Sequence, residues 1–358
     1  MAAAMRLSRW HTGLTATNPS VAALVVRDGA IVGQAVTATG GRPHAETQAL
    51  AVAGDKARGA TLYVTLEPCS HHGKTPPCAD AIVAAGISRV VVSLTDPDPR
   101  VSGRGLAILR EAGIEVESGV MEGEGRRALS AYLMRQTRGR PEVTLKLAVS
   151  ADGMIGRKGA GQLAITGRAA RAQVHVLRAQ IDAILVGIGT ARADDPDLTC
   201  RTPGLENRSP LRVVLDHDLD LPLSSRLVKT AREVPVLVAS LPVSHANSTA
   251  EGNARIERRR ALTAEGVEVI EPESLPMLLA ALAARGISSL LVEGGARVAG
   301  SFLDAGLVDH ILLYEGAVSV GADAIASPIT RSDIPAGFRP VREAFFGPDR
   351  LIDFERSS

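Results

Sequence analysis

Aromatic residues are scarce in this chain: one Trp, three Tyr and five Phe make up 3% of 358 residues. Its cores must therefore be built mainly from Val, Leu, Ile and Ala. Cysteine is scarcer still, at Cys69, Cys78 and Cys200. An odd, small number excludes a disulfide framework and argues for metal or catalytic use. No apolar run approaches the ~18 residues of a membrane span. Residues 1–11 lack the apolar core of a secretory signal, so a cytoplasmic protein is expected. Neither sign of charge dominates, with 40 Lys plus Arg against 39 Asp plus Glu and a net charge of +1. That balance removes any global reason to expect nucleic-acid or membrane binding. One local cluster, Arg258-Arg259-Arg260 with Arg255 before it and Glu257 inside it, reads either as a basic patch or as the solvated face of a helix. Solvation is the usual fate of charge runs.

The length suits two domains, and 45% hydrophobic with 22% charged residues is ordinary for a globular chain. Short β-branched runs at 21–26, 60–66, 90–93 and 114–117 alternate with helical stretches at 45–53, 78–85 and 105–112. Gly86 and Gly113 stand where helix ends want a left-handed residue. A longer helix is expected over 123–138. Gly139 and Pro141 then break the pattern, which sets the domain boundary between 1–140 and 141–358. Beyond it, strands are expected at 143–149, 183–187, 211–215, 234–239, 289–293 and 311–314. Helices are expected at 168–180, 275–284 and 296–305. Both parts read as α/β layers.

The sharpest chemical signal is His44-Ala45-Glu46, followed by Glu67-Pro68-Cys69 and Pro76-Pro77-Cys78. One imidazole and two thiolates suit zinc, and three protein ligands leave a fourth position open to water, as a catalytic site requires. Glu46 need not be a ligand; its role would be to carry protons between water, ring nitrogen and departing ammonia. This His-x-Glu…Pro-Cys…Cys arrangement is the signature of zinc deaminases. The two cysteines lie nine residues apart rather than three. The intervening loop, Ser70-His71-His72-Gly73-Lys74-Thr75-Pro76, reads as substrate-shaping, with Lys74 meeting a phosphate or ring oxygen. A structural zinc with His71 or His72 as fourth ligand is the competing view, but it leaves Glu46 without a purpose.

The second half signals more weakly on its own. Val186-Gly187-Ile188-Gly189-Thr190 is either the start of a dinucleotide loop or a strand-ending turn, since the third glycine of the fingerprint is missing. Val292-Glu293-Gly294-Gly295-Ala296 suits phosphate at a helix start or, equally, a tight packing turn.

The run Thr65-Leu66-Glu67-Pro68-Cys69-Ser70-His71-His72-Gly73-Lys74-Thr75-Pro76-Pro77-Cys78 resembles the deaminase motif of the bifunctional riboflavin-biosynthesis deaminase–reductases. Asn18-Pro19-Ser20-Val21, Pro43-His44-Ala45-Glu46 and Val101-Ser102-Gly103-Arg104-Gly105 match as well. So do Lys146-Leu147-Ala148-Val149-Ser150-Ala151-Asp152-Gly153, the run from Thr190 to Arg201, and Val292-Glu293-Gly294-Gly295 in the second half. The resemblance covers residues 6–314. It implies a cytidine-deaminase-like three-layer α/β/α domain followed by a dihydrofolate-reductase-like α/β domain. One zinc ion would sit on His44, Cys69 and Cys78, with Glu46 catalytic and Asn18, Lys74 and Asp96 on the substrate. NADPH would contact Ala148, Thr190, Asp194, Gly294 and Gly295, while Arg178, Leu198, Arg201 and Glu293 would hold the substrate of reduction.

The implied substrate is a small pyrimidine ribosyl phosphate, deaminated and then reduced from ribosyl to ribityl. A homo-oligomer is implied too, with neither nucleic acid nor membrane as partner. Two departures stand out: Asp98 where many members have Asn, and Ala164-Ile165-Thr166 where many carry a Trp in place of Ala164. Cys200 reads as a packed small hydrophobe. Competing functions are a nucleic-acid deaminase, a zinc-stabilised binding protein, and a family member with an impaired reductase half.

Overall fold

In the first part, successive strands bury alternate side chains on opposite faces, and that alternation sets the layers. The computed structural model describes residues 1–71, 76–98, 101–240 and 249–357, with backbone alone at 249–251. It divides into two compact units, Met1–Arg140 and Pro141–Ser358.

Unit one runs α1 (Ala2–Ser8), β1 (Ala22–Arg27), β2 (Ala30–Val36), α2 (Ala45–Ala53), β3 (Thr61–Leu66), α3 (Cys78–Ala84), β4 (Arg89–Leu94), α4 (Arg104–Glu111), β5 (Glu115–Ser118), α5 (Glu122–Ala128) and α6 (Ser130–Arg138). The sheet order is β2-β1-β3-β4-β5. β1 pairs antiparallel with β2 and β3, whereas β3, β4 and β5 are parallel. Ala23 and Val25 of β1 join the main core with Ala49 of α2 and Ile82 of α3; Ala22 and Leu24, on the other face, pack with Ala4 of α1. Strand β2 has a glycine where α2 crosses it: a Cβ at Gly33 would lie 2.2 Å from the Ala49 carbonyl oxygen. That close approach seats the helix whose start carries His44 and Glu46. Gly86 (φ 69°) and Gly113 (φ 80°) take the left-handed conformation just past α3 and α4, as expected.

The helix expected over 123–138 is two helices. Leu129 leaves helical geometry at φ −113° and ψ 13° and is itself buried. Upstream, Gly125 lies against the sheet, where a Cβ would come 2.4 Å from Ser93 Oγ. The break lets α5 hug the sheet and α6 bring Tyr132 into the core.

Unit two contains β6 (Glu142–Val149), β7 (Met154–Arg157), α7 (Arg168–Arg178), β8 (Ala183–Gly187), α8 (Ile188–Asp194), β9 (Leu211–Leu215), α9 (Arg226–Lys229), β10 (Val236–Ala239), α10 (Thr249–Ala264), β11 (Glu268–Ile270), α11 (Leu275–Ala284), β12 (Ser289–Val292), α12 (Ala296–Asp304), β13 (His310–Glu315), β14 (Ala324–Ala326), β15 (Phe338–Phe346) and β16 (Asp349–Arg356). Its main sheet has the order β11-β10-β9-β8-β12-β6-β13-β16-β15. Strands β11 through β13 are parallel, and the β15–β16 hairpin is antiparallel. Each central strand feeds two cores. Leu185 and Val213 face one with Leu278 and Phe302, while Ile184, Val186 and Val214 face the other with Leu227 and Leu262. Burial on both faces is why these strands read as continuous apolar runs. Ligands in such sheets collect outside the carboxyl ends of the strands.

Candidate active sites

In unit one the carboxyl ends of β3 and β4 meet the starts of α2 and α3. His44 is the residue before α2, in extended conformation, and Glu46 lies in that helix's first turn. Cys69 follows β3 and Cys78 opens α3. One potential ligand atom from each of His44, Cys69 and Cys78 lies within 4.8 Å of the others. His44 Nδ1 stands 3.6 Å from Cys69 Sγ and 3.4 Å from Cys78 Sγ. The Cys78 amide donates to Cys69 Sγ at 3.3 Å, so a helix start does steady a thiolate here.

The electrostatics agree with a cation site. Hydrogen bonding from the Cys78 thiol brings the Cys69 pKa down to about 4 against the opposing effect of burial, with further help from His44. Cys78 is pushed upward in return, by Cys69 first and burial second. Both sulfurs and the His44 ring nitrogen thus converge on the place a divalent cation would take. One nitrogen and two sulfurs are the donor set zinc prefers. His44 Nε2 is buried and finds no hydrogen-bond partner among the described residues; coordination through Nδ1 would leave it the ring proton. Burial raises Glu46 to about 7, with His44 opposing.

The expected substrate contacts are more dispersed. Asn18 Nδ2 donates to the Gly41 carbonyl at 3.0 Å and so braces the segment leading into His44. Asp96 is buried, and its carboxylate accepts the Tyr132 hydroxyl at 3.0 and 3.1 Å and the Asp98 amide at 2.9 Å. Burial raises its pKa to about 6. Asp98 is buried beside it. Lys74 and His72 lie outside the described residues.

A residue overlooked in the sequence is Glu67. Its buried carboxylate accepts the amides of Asp96 (3.2 Å), Gly103 (2.9 Å), Gly105 (3.0 Å) and Leu106 (3.4 Å). An anion at the start of α4 is stabilised by the helix dipole and orphan amides. It pins the loop after β4 and α4 against the turn that presents Cys69; a Cβ at Gly105 would come 2.0 Å from the Pro68 carbonyl oxygen. The signal was its place in Glu67-Pro68-Cys69, which had been read for the cysteine alone.

In unit two a cleft of about 860 Å³ opens at the carboxyl ends of β6, β8, β9, β10 and β12. Ala148, Thr190, Asp194, Gly294 and Gly295 line it, as do Arg178, Leu198 and Glu293. Arg201 is not among the lining residues; its exposed guanidinium pairs with Asp197 at 2.8 Å. Gly187 is followed at once by α8, so the Gly-x-Gly turn starts a short helix. Gly294 and Gly295 precede α12, and a Cβ at Gly294 would come 2.6 Å from Val298 Cβ. Gly189 lines the cleft with nothing within 4 Å of a would-be Cβ. Two bare turns before helix starts therefore face one cleft, an arrangement that fits a dinucleotide's phosphates.

Arg178 and Glu293 form a two-pronged pair, at 3.1 and 3.0 Å. Burial would raise the Glu293 pKa, but Arg178 and then Lys146 outweigh it and hold it below the usual range. Lys146, two residues before Ala148 on the same face of β6, also lines the cleft, and burial lowers its pKa. Ala164 is exposed while its neighbours Leu163 and Ile165 line the cleft. Cys200 is buried, with its thiol on the His175 carbonyl.

Comparison with known proteins agrees with both halves. Residues 1–94 match the family model for the cytidine and deoxycytidylate deaminase zinc-binding region, and residues 141–343 match that for the RibD C-terminal domain. The riboflavin biosynthesis protein RibD of Aquifex aeolicus is 42% identical over 99% of this chain and 97% of its own length. Acinetobacter baumannii RibD superposes with a TM-score of 0.87 at 34% identity, covering 100% of this chain and 98% of that one. A Thermotoga maritima diaminohydroxyphosphoribosylaminopyrimidine deaminase/5-amino-6-(5-phosphoribosylamino)uracil reductase superposes with a TM-score of 0.84 at 34% identity, covering 99% and 97%.

Proposed function

The chain belongs to the RibD family of riboflavin-biosynthesis proteins, and on that premise we propose which of its residues carry each of two consecutive steps. It is a bifunctional enzyme, a zinc-dependent hydrolytic deaminase in its cytidine-deaminase-like half and an NADPH-dependent reductase in its dihydrofolate-reductase-like half. The first step removes an amino group from 2,5-diamino-6-ribosylamino-4(3H)-pyrimidinone 5′-phosphate. The second reduces the ribosyl chain, giving 5-amino-6-ribitylamino-uracil 5′-phosphate. No observation favours a nucleic-acid substrate or an impaired reductase half.

Zinc on His44, Cys69 and Cys78 would supply Lewis-acid activation of the attacking water. Glu46 then moves protons, from water to the ring nitrogen and on to the departing ammonia. A carboxyl whose pKa is about 7 gives and takes a proton at little cost near neutral pH. Asn18 and Asp96 shape the wall of this site through the segments before His44 and after β4.

In the second site NADPH supplies the hydride when bound. The turns at Gly187–Thr190 and Gly294–Gly295 would hold its phosphates, with Asp194 and Ala148 as further residues for the cofactor. Glu293 and Leu198 contact the sugar and ring of the deaminated substrate. Arg178 serves its phosphate, because a planar guanidinium binds oxyanions in pairs; Arg201, paired with Asp197 outside the lining, is left without a role in this site. Lys146, with its pKa lowered by burial, is our candidate to protonate the reduced sugar. A cytoplasmic setting and a homo-oligomeric state complete the proposal, both resting on family membership.

One observation carries the reading: a nitrogen–sulfur–sulfur ligand set with a buried glutamate two residues from its histidine. Ammonia release and NADPH oxidation, followed together on zinc-loaded protein and the diaminopyrimidinone phosphate, test it. Wild type should show both signals. Glu46→Ala should show neither until given deaminated substrate, when NADPH oxidation returns. Ammonia release by Glu46→Ala at the wild-type rate would remove Glu46 from its role.

A further inference from the structure

Helix α6 closes the deaminase half, and it braces two of the expected substrate contacts at once. From one turn the Tyr132 hydroxyl reaches the Asp96 carboxylate. From the next, the Arg135 guanidinium lies 5.8 Å over the Tyr132 ring and donates to the Thr17 carbonyl, beside Asn18. We propose that Tyr132 is a positioning residue of the deamination step: it fixes the Asp96 carboxylate so that one oxygen meets a hydroxyl or amino group of the substrate. This rests on Asp96 being a substrate contact.

Tyr132 Oη stands 3.0 Å from Asp96 Oδ1 and 3.1 Å from Oδ2, so its one proton bridges the inner edge of the carboxylate. The Asp98 amide donates to Oδ1 at 2.9 Å. A carboxylate offers about four lone-pair directions. The hydroxyl faces the two inner ones and the amide takes the other on Oδ1, which leaves the outer side of Oδ2 for an arriving donor.

Asp96 needs this support. Burial first, and the like charges of Asp98 and Glu67 after it, work against its ionised form, while the Asp98 amide and the Tyr132 hydroxyl favour it. Its own amide is tied to Glu67 Oε2 at 3.2 Å, which anchors the backbone but not the side chain. Tyr132 belongs to the main core of the unit, so its hydroxyl is held at a fixed place and can anchor what the backbone does not. A side chain locked by a neighbour's hydrogen bond meets its ligand without being ordered at the moment of binding.

A double-mutant cycle on the full zinc-loaded chain tests this, with kcat and KM for ammonia release measured separately and zinc content reporting that each deaminase unit is folded. Tyr132→Phe removes the hydroxyl and keeps the ring. Its KM for the diaminopyrimidinone phosphate should rise about three- to tenfold with kcat and zinc content at wild-type values, the pattern of binding lost equally from ground and transition states. Asp96→Ala should raise KM about ten- to hundredfold. Adding Tyr132→Phe to Asp96→Ala should raise it no further, because no carboxylate is left to position. An unchanged KM in Tyr132→Phe, beside a raised one in Asp96→Ala, would overturn the proposal alone. So would an equal rise on both backgrounds, or a joint fall of kcat and zinc content, either of which would make Tyr132 a packing residue. A wild-type KM in Asp96→Ala would remove Asp96 from the substrate, and the proposal with it.

Discussion

Glu67 should be the residue on which the deaminase site most depends without touching its chemistry. In Glu67→Gln one carboxylate oxygen becomes an NH2 group. Oε1 accepts Gly105 and Leu106 and Oε2 accepts Asp96 and the part-buried Gly103, so either orientation of the amide strands two backbone donors, at least one of them buried. Hydrogen bonds to a charged group are worth about 1.5–3 kcal/mol, and one of the four is long at 3.4 Å. A total loss of about 2–5 kcal/mol follows, a large part of the ~5–15 kcal/mol that a domain possesses. For a unit of this size each kcal/mol shifts the midpoint by about 3–4 °C, so the drop should be roughly 6–20 °C. The assay is residual activity after brief heating, scored separately as ammonia release and as NADPH oxidation on deaminated substrate. Only the deaminase curve should move. An unchanged deaminase midpoint would refute the reasoning, and an equal fall in both curves would show that the effect is not confined to the Glu67 network.

Three further outcomes are expected. Gly294→Val should raise the KM for NADPH at least about tenfold, because its side chain has no room beside Val298, while ammonia release stays at the wild-type rate; steady-state kinetics of the two activities check this. Treatment with a zinc chelator should abolish ammonia release and leave reduction of deaminated substrate intact, with metal content and both rates measured on the same sample. His310 stands 3.3 Å from Glu142 and 3.9 Å from Asp353. Burial alone would lower its pKa, but hydrogen bonds and charge from these carboxylates prevail and hold it at about 10. The folded value lies above the unfolded ~6.5, so this stabilisation is complete below pH 6.5 and lost as pH rises toward 10. The urea midpoint for loss of reductase activity should fall over that range in wild type, and more shallowly in His310→Gln.

The metal site was legible because its chemistry is local in sequence. His44 and Glu46 share the start of one helix, and each cysteine sits beside a strand end or helix start that turns and glycines announce. The central strands of both sheets were legible because burial on two faces leaves continuous apolar runs. What escaped notice was amphipathic or exposed. The β1–β2 hairpin carries Asp28-Gly29, both at positive φ, a two-residue turn signal present in the sequence and not read as one. Strand β15 is an exposed edge with Pro340 beside a register shift, so neither alternation nor apolar content marked it. The reductase cleft gathers Ala148, Thr190, Asp194 and Glu293 from separate strands and loops, and only the parallel sheet brings them together. Spacing alone could not do that, and it gave no hint that Arg201 pairs with Asp197 outside the lining. Glu67 was missed because its partners are backbone groups contributed by distant segments.

The central claim is that one chain holds two separable sites that act in order. Mixing two variants, Glu46→Gln and Gly294→Val, tests it most directly, with ribityl product measured from the diaminopyrimidinone phosphate and a low NADPH concentration. Alone, Glu46→Gln should leave the substrate untouched and Gly294→Val should accumulate the deaminated ribosyl compound. Together they should form the ribityl product. Product from Glu46→Gln alone, or none from a mixture of two folded variants, would contradict the account.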